Sequence, residues 1–162
     1  MNIILEMKIL YAIIFIEQKW GDYMNVIIYF SLSKNLNSKK IASTYDGDIF
    51  ELVNNEKKHK SVFVNMFIYG YKTMRNKDVN FEAPSIDFDK YDTVVLVSPV
   101  WAGRVNIFMR KYLEKIKFYN KNVILVGSCD GGYDKYFKSY EGLLDGSNKI
   151  IEEVIYVKGI RQ

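Results

Sequence analysis

Three short stretches of this 162-residue chain combine residue types that could hold a small ligand. The first, Ser31-Leu32-Ser33-Lys34-Asn35-Leu36-Asn37-Ser38, is rich in hydroxyls and amides, with Ser31, Ser33, Asn35, Asn37 and Ser38 as the candidate ligand-holding residues. A turn of this kind running into a helix offers neutral donors and free backbone N–H groups, which can hold a dianionic monophosphate. Asn37 or Ser38 would serve equally well as a plain helix N-cap. The second stretch is Pro99-Val100-Trp101-Ala102-Gly103. A tryptophan on a loop that opens onto a crevice is costly unless it covers something flat, so it either stacks on an aromatic ligand or folds back over the next helix. The third, Cys129-Asp130-Gly131-Gly132, has two glycines. These let the backbone approach a ligand and point N–H groups at ring carbonyls, although a tight strand-to-helix turn wants glycine as well.

The rest of the composition narrows the chemistry. Cys129 is the single cysteine and His59 the single histidine, which excludes an intrachain disulfide, a zinc cluster and a dithiol redox pair. His59 sits among lysines and reads as an exposed loop residue. No side chain is therefore a candidate catalytic group or metal ligand, and any redox chemistry has to come from a bound cofactor. The net charge is +4, yet only four of the 23 basic residues are arginine. Nucleic-acid readers lean on arginine forks, and the lysines here alternate with Asp and Glu as on a solvated mixed surface. No nucleic-acid partner is expected. The apolar run Ile9 to Ile16 is too short to span a bilayer, and no signal-peptide cleavage pattern follows it, so a cytoplasmic protein without a membrane partner is expected.

The elements that must position the three stretches follow from periodicity. Strand-length apolar runs at Asn25 to Phe30, Asp48 to Val53, Thr93 to Ser98, Asn122 to Gly127 and Ile150 to Val157 alternate with helical patterns, as in βαβ units. Their continuous Val, Ile and Leu content fits a parallel sheet buried on both faces. Val105, Phe108, Met109, Tyr112, Leu113 and Ile116 predict an amphipathic helix; Phe63, Met66, Phe67, Gly70 and Met74 predict another. Tyr136, Phe137, Tyr140, Leu143 and Leu144 predict a shorter one, and the first crossover, Leu36 to Tyr45, is brief. The size points to one doubly wound α/β domain with five parallel strands in the order 2-1-3-4-5. Ligands bind such sheets outside the carboxyl ends of strands one and three, where the first two stretches fall, with the third at the same edge.

Other functions on this architecture fail on residue identity. A receiver domain needs acidic residues where Ser31 and Ser98 stand. A low-molecular-weight phosphatase needs a cysteine and a spaced arginine after its first strand, whereas Cys129 is followed at that spacing by Lys135, after the wrong strand, and lysine cannot fork a phosphate. A dinucleotide fold wants G-x-G-x-x-G after strand one, and no glycine is there.

At these residues the chain resembles the flavodoxin family, particularly short bacterial flavodoxin-like proteins with a P-[VI]-W loop. The match runs from about Met24 to Val157. It is most specific across Tyr91-Asp92, Ser98-Pro99-Val100-Trp101, Tyr112-Leu113 and Cys129-Asp130-Gly131-Gly132. The resemblance implies a flavodoxin-like fold whose cofactor is flavin mononucleotide (FMN). It implies that Ser31, Ser33, Asn35, Asn37 and Ser38 hold the FMN phosphate. Pro99, Val100, Trp101 and Ala102 would flank the isoalloxazine, and Cys129, Asp130, Gly131 and Gly132 would contact its polar edge. The expected function is electron transport between soluble redox partner proteins, as a flavoprotein of the oxidoreductase class. Two alternatives stand beside it. One is an FMN-dependent reductase of a quinone-like small acceptor. The other is a degenerate module without FMN, suggested by Lys34 and Leu36, which stand where the family has glycine and threonine.

Two expectations concern the ends of the chain. Residues 24–162 form the domain and 1–23 an extension. The codons of Trp20-Gly21-Asp22-Tyr23 must place a purine-rich stretch ahead of the codon of Met24 that is similar to a bacterial ribosome-binding site, so either translation starts at Met24 or the extension is made and packs on the domain. Against the family pattern the first helix is short and the final helix missing. One face of the sheet then needs a cover, supplied by the apolar part of the extension or by a second copy.

Overall fold

The computed structural model describes residues 24–32, 37–57 and 59–162. The proposed role of 1–23 as a cover therefore lies outside the described residues. The strands are β1 (Asn25–Tyr29), β2 (Asp48–Glu51), β3 (Val53–Asn54), β4 (Phe81–Glu82), β5 (Thr93–Trp101), β6 (Arg104–Val105), β7 (Asn122–Cys129), β8 (Lys149–Val157) and β9 (Ile160–Arg161). The helices are α1 (Asn37–Ala42), α2 (Val62–Arg75) and α3 (Ile107–Lys115), with 3₁₀ turns at Phe88–Lys90 and Phe137–Tyr140.

The architecture is α/β around a mostly parallel sheet, but the sheet differs from the five strands expected. It has seven, in the order β2-β1-β5-β7-β8-β9 with β6 paired to β5. Pairings β1–β2, β1–β5, β5–β7 and β7–β8 are parallel, whereas β5–β6 and β8–β9 are antiparallel. The two extra strands are two residues long, each returned by a two-residue turn with positive φ, Ala102-Gly103 and Lys158-Gly159. That turn geometry matches the twist of a hairpin. β5 accordingly runs on past Ser98 to Trp101 instead of ending in a loop. No helix follows β8 among the described residues.

Alternation along the strands divides the core in two. Val26, Ile28, Val94, Leu96, Val123 and Leu125 face the side of α3, whose Ile107, Phe108, Met109, Tyr112 and Leu113 are all buried. Each such side chain is worth about 1.5–3 kcal/mol on burial. Asn106 starts α3 by accepting from the N–H groups of Phe108 and Met109 at 2.9 and 3.1 Å. On the other face Ile27, Tyr29, Val95, Val97, Val126 and Val154 cluster with Ile41 and Ala42 of α1 and are buried, so the sheet face expected to need a cover is buried along these central strands.

Two helical expectations need correction. The apolar stripe of α2 faces solvent: Phe63, Phe67 and Met74 are 68%, 67% and 62% exposed. The inward side instead carries Asn65, Tyr69 and Thr73. Each has a partner that makes burial tolerable. Asn65 pairs with the backbone of His59 at 2.9 Å in both directions, Tyr69 accepts from the Asn54 amide at 3.0 Å, and Thr73 donates to the Tyr69 carbonyl at 2.8 Å. The second correction concerns Tyr136 to Leu144. Its Tyr136, Tyr140 and Leu143 are buried as expected, but only the 3₁₀ turn Phe137–Tyr140 forms, and Gly142 at φ 74° breaks continuation.

A recess at the carboxyl ends of the central strands

Ser31 and Leu32 leave the end of β1, α1 begins at Asn37, and the ends of β5 and β7 supply Pro99 to Trp101 and Ser128 to Gly131. These residues line one recess of about 250 Å³, together with Ser38 and with Met66 from α2. Of the candidates, Ser31, Asn37, Ser38, Pro99, Val100, Trp101, Cys129, Asp130 and Gly131 meet there. Ala102 and Gly132 are not in its lining. Ser33 and Asn35 lie outside the described residues. Leu32 and Ser128 were missed although they adjoin chosen residues. Met66 was missed because nothing in its local pattern separates it from an ordinary apolar helix position.

Trp101 is held from two sides. Its ring stacks on Tyr69 of α2 (centroids 5.6 Å apart, planes 17°) and meets Phe30 and Phe108 edge-on at 5.7 and 6.2 Å. The tryptophan therefore both packs back on the helical layer and lines the recess. Its backbone is pinned by the β5–β6 hairpin, where Trp101 pairs with Arg104. Ala102 occupies the left-handed region at φ 50°, a conformation that costs an L-residue about 1–2 kcal/mol. Ala102→Gly should therefore raise stability in denaturant unfolding by roughly 0.5–1 kcal/mol, the relief exceeding the added unfolded-state entropy of glycine. A loss of stability would show that the turn is not strained.

Behind the recess lies a buried hydroxyl cluster. Tyr136 donates to the Val126 carbonyl at 2.8 Å and shares hydrogen bonds with Ser98 (2.9 Å) and Tyr140 (3.0 Å). Burial pushes Tyr136 far above its ordinary pKa and Tyr140 to about 12, so both stay neutral. The Tyr136 ring crosses β7 at Gly127, where an added Cβ would come within 2.8 Å of its Cε1 and 2.5 Å of Ile155 Cδ1. This cluster ties β5, β7 and the 3₁₀ turn together where β5 and β7 enter the recess.

The lining is chemically quiet. Burial pushes the Cys129 thiol up against the opposing pull of the Gly131 backbone hydrogen bond, so it is a neutral thiol and a poor nucleophile at ordinary pH. Among the described residues Asp130 is the one acidic side chain in the lining. Among the described residues no group of His, Cys, Asp or Glu could hold a metal ion, and no helix is long and apolar enough to cross a membrane. Hydroxyls and an amide at one end, a tryptophan at the side, and Gly131, with open space where a Cβ would stand, at the other suit a flat ligand with an anionic tail.

No family model and no curated protein sequence matches the chain. Solved structures do. A flavoprotein from Lactobacillus acidophilus NCFM, crystallised in complex with FMN, superposes with a TM-score of 0.68 at 21% identity, over 82% of this chain and 93% of that one. A putative flavoprotein from Bacteroides eggerthii gives a TM-score of 0.63 at 12% identity over 82% and 87%, and one from Bacteroides uniformis 0.57 at 16% over 84% and 92%. The chain has the flavodoxin-like α/β fold that it shares with these flavoproteins.

Proposed function

We propose that the recess binds FMN and that the protein carries electrons between soluble redox partner proteins in the cytoplasm. The observation that carries this reading is the convergence of three strand-end segments, Ser31 with Asn37 and Ser38, Pro99 to Trp101, and Cys129 to Gly131, on one cavity. FMN is the ligand of one flavoprotein of the same fold. Bound there, the flavin would supply reversible one- and two-electron chemistry.

The chain's own residues do the rest. Ser31, Asn37 and Ser38 offer neutral donors to a phosphate at the start of α1. Trp101, fixed by Tyr69, presents a rigid ring wall and keeps water from that side. Gly131 lets the backbone come close to the polar edge of a ring, and the neutral Cys129 thiol sits beside it without competing chemistry. The apolar wall of Leu32, Met66 and Val100 favours a second reading, reduction of a quinone-like acceptor inside the same recess. Steady-state reduction of a soluble quinone with a nicotinamide donor separates the two, because a carrier is re-reduced only by a protein partner.

The test is direct. The purified protein should show flavin absorbance, or gain it on incubation with FMN. Ser31→Ala and Ser38→Ala should weaken FMN more than riboflavin, which lacks the phosphate. A hydrogen bond to a charged group is worth about 1.5–3 kcal/mol, so the FMN-specific loss should be roughly ten- to a hundredfold. A protein that remains colourless with FMN would end both readings and leave a fold retained for interaction alone. Equal losses for the two flavins would place the phosphate elsewhere.

A further inference from the structure

The outward face of α2 carries a continuous apolar stripe. Phe63, Val64, Met66, Phe67, Tyr71 and Met74 are each between 40% and 68% exposed and fall at helical spacing on one side. The rings of Phe63 and Phe67 meet edge to face at 4.9 Å. Taking aromatic side chains at their usual 150–250 Å², the stripe amounts to roughly 600 Å², the upper end of the largest patch a soluble monomer carries. Its ends are basic. Lys57 and Lys60 precede the helix, and Arg75 and Lys77 close it. All four are exposed and none forms an ion pair among the described residues. Of the acids next to them in sequence, Glu56 pairs with Lys72 at 2.7 Å, and Asp78 is fully exposed, 3.5 Å from Lys111.

We propose that this helix is a lipid-contact element that lays its Phe and Met stripe into the interface of an anionic bilayer while the flanking cations meet the head groups. An amphipathic helix with an aromatic face and basic flanks binds in this way without spanning the membrane. That no helix among the described residues is long and apolar enough to cross a membrane therefore does not bear on it. A second copy is the poorer occupant, because in either two-fold arrangement of the helices basic ends meet basic ends. A protein partner is poorer too. Interfaces carry about one hydrogen bond per 100–200 Å², and in this stripe only the Tyr71 hydroxyl could make one from a side chain.

Met66 belongs to both the stripe and the recess lining. With the flavin reading above, the contact would bring the recess within reach of apolar acceptors dissolved in the bilayer, although lipid binding itself needs no flavin.

The experiment is co-sedimentation of the full chain, with and without FMN, with vesicles of phosphatidylcholine alone or mixed with phosphatidylglycerol. Binding is expected to the mixed vesicles, at least tenfold tighter than to phosphatidylcholine, and weaker in added salt. The double variant Phe63→Ser/Phe67→Ser should lose it by tenfold or more. Both residues are exposed, so an unchanged melting transition shows that the variant is folded; Arg75→Gln/Lys77→Gln should lose the preference for anionic lipid and serves as the second variant. The proposal fails if the chain does not sediment with mixed vesicles, or if the Phe variant binds as well as the parent. It also fails if light scattering shows a concentration-dependent dimer that the Phe variant abolishes. Loss of flavin binding with lipid binding intact would overturn only the reading of the recess.

Discussion

Tyr136→Ala will lower the stability of the folded chain by about 3–5 kcal/mol, the range for emptying a fully buried aromatic site. That is a large part of the 5–15 kcal/mol by which a domain is stable. The Tyr136 ring has no exposed surface, abuts Phe137 and Tyr140 at 5.2 and 5.4 Å, and fills the space that Gly127 leaves over β7. Tyr136→Phe keeps the ring and removes the hydroxyl that joins Ser98, Tyr140 and the Val126 carbonyl, at a cost of about 1–3 kcal/mol. Gly127→Ala should cost about 1–3 kcal/mol by overpacking. Combined with Tyr136→Ala it should cost much less, since its Cβ then occupies the vacated space; contacting residues are not additive. Denaturant unfolding of the four proteins closes the cycle. Strict additivity would show that the clash at Gly127 is with Ile155 and not with the tyrosine.

Trp101→Ala is expected to weaken the proposed ligand whether or not it carries a phosphate. A ring that stacks on a flavin contributes about 0.5–1.5 kcal/mol beyond the area it buries. With the buried area added, the loss should come to about 2 kcal/mol, a roughly thirtyfold rise in the dissociation constant. Fluorescence titration with FMN and with riboflavin measures it, and the two flavins should lose equally because the phosphate is not involved. The same variant gives up the Tyr69 stack and the edge contacts to Phe30 and Phe108, so stability should fall as well. Trp101→Phe should restore part of both. Affinity unchanged in the alanine variant, with stability reduced, would make Trp101 a core residue that happens to border the recess.

The parallel α/β character was legible because it is written in local pattern. Residues such as Val26 to Ile28, Val94 to Val97 and Val123 to Val126 are apolar without interruption, and a strand needs such a run only when both its faces are buried. The position of the candidate site was legible for a related reason. Once the strands run parallel, their ends share an edge, so Ser31, Trp101 and Cys129 must come together. The seven-strand extent was not read, since two-residue strands such as β6 and β9 carry no periodicity. Their only trace is the Ala-Gly and Lys-Gly turns that close them.

By itself, then, the sequence determined that a mostly parallel sheet forms and which strand-end segments meet at its carboxyl edge, because uninterrupted apolar runs leave no other place for them. It did not determine how α2 sits. Phe63, Met66, Phe67 and Met74 make as good an inward face as Asn65, Tyr69 and Thr73, and periodicity reports only that two faces differ. Tertiary structure chose the polar side, since Asn54, the His59 backbone and the Tyr69 carbonyl satisfy those groups once buried and the Tyr69 ring stacks on Trp101. The same choice turned the apolar stripe to the outside and put Met66 at the recess. The Gly127–Tyr136 crossing was likewise invisible, because a glycine in a strand shows only that something approaches closely, and the partner is known only when the chain has folded.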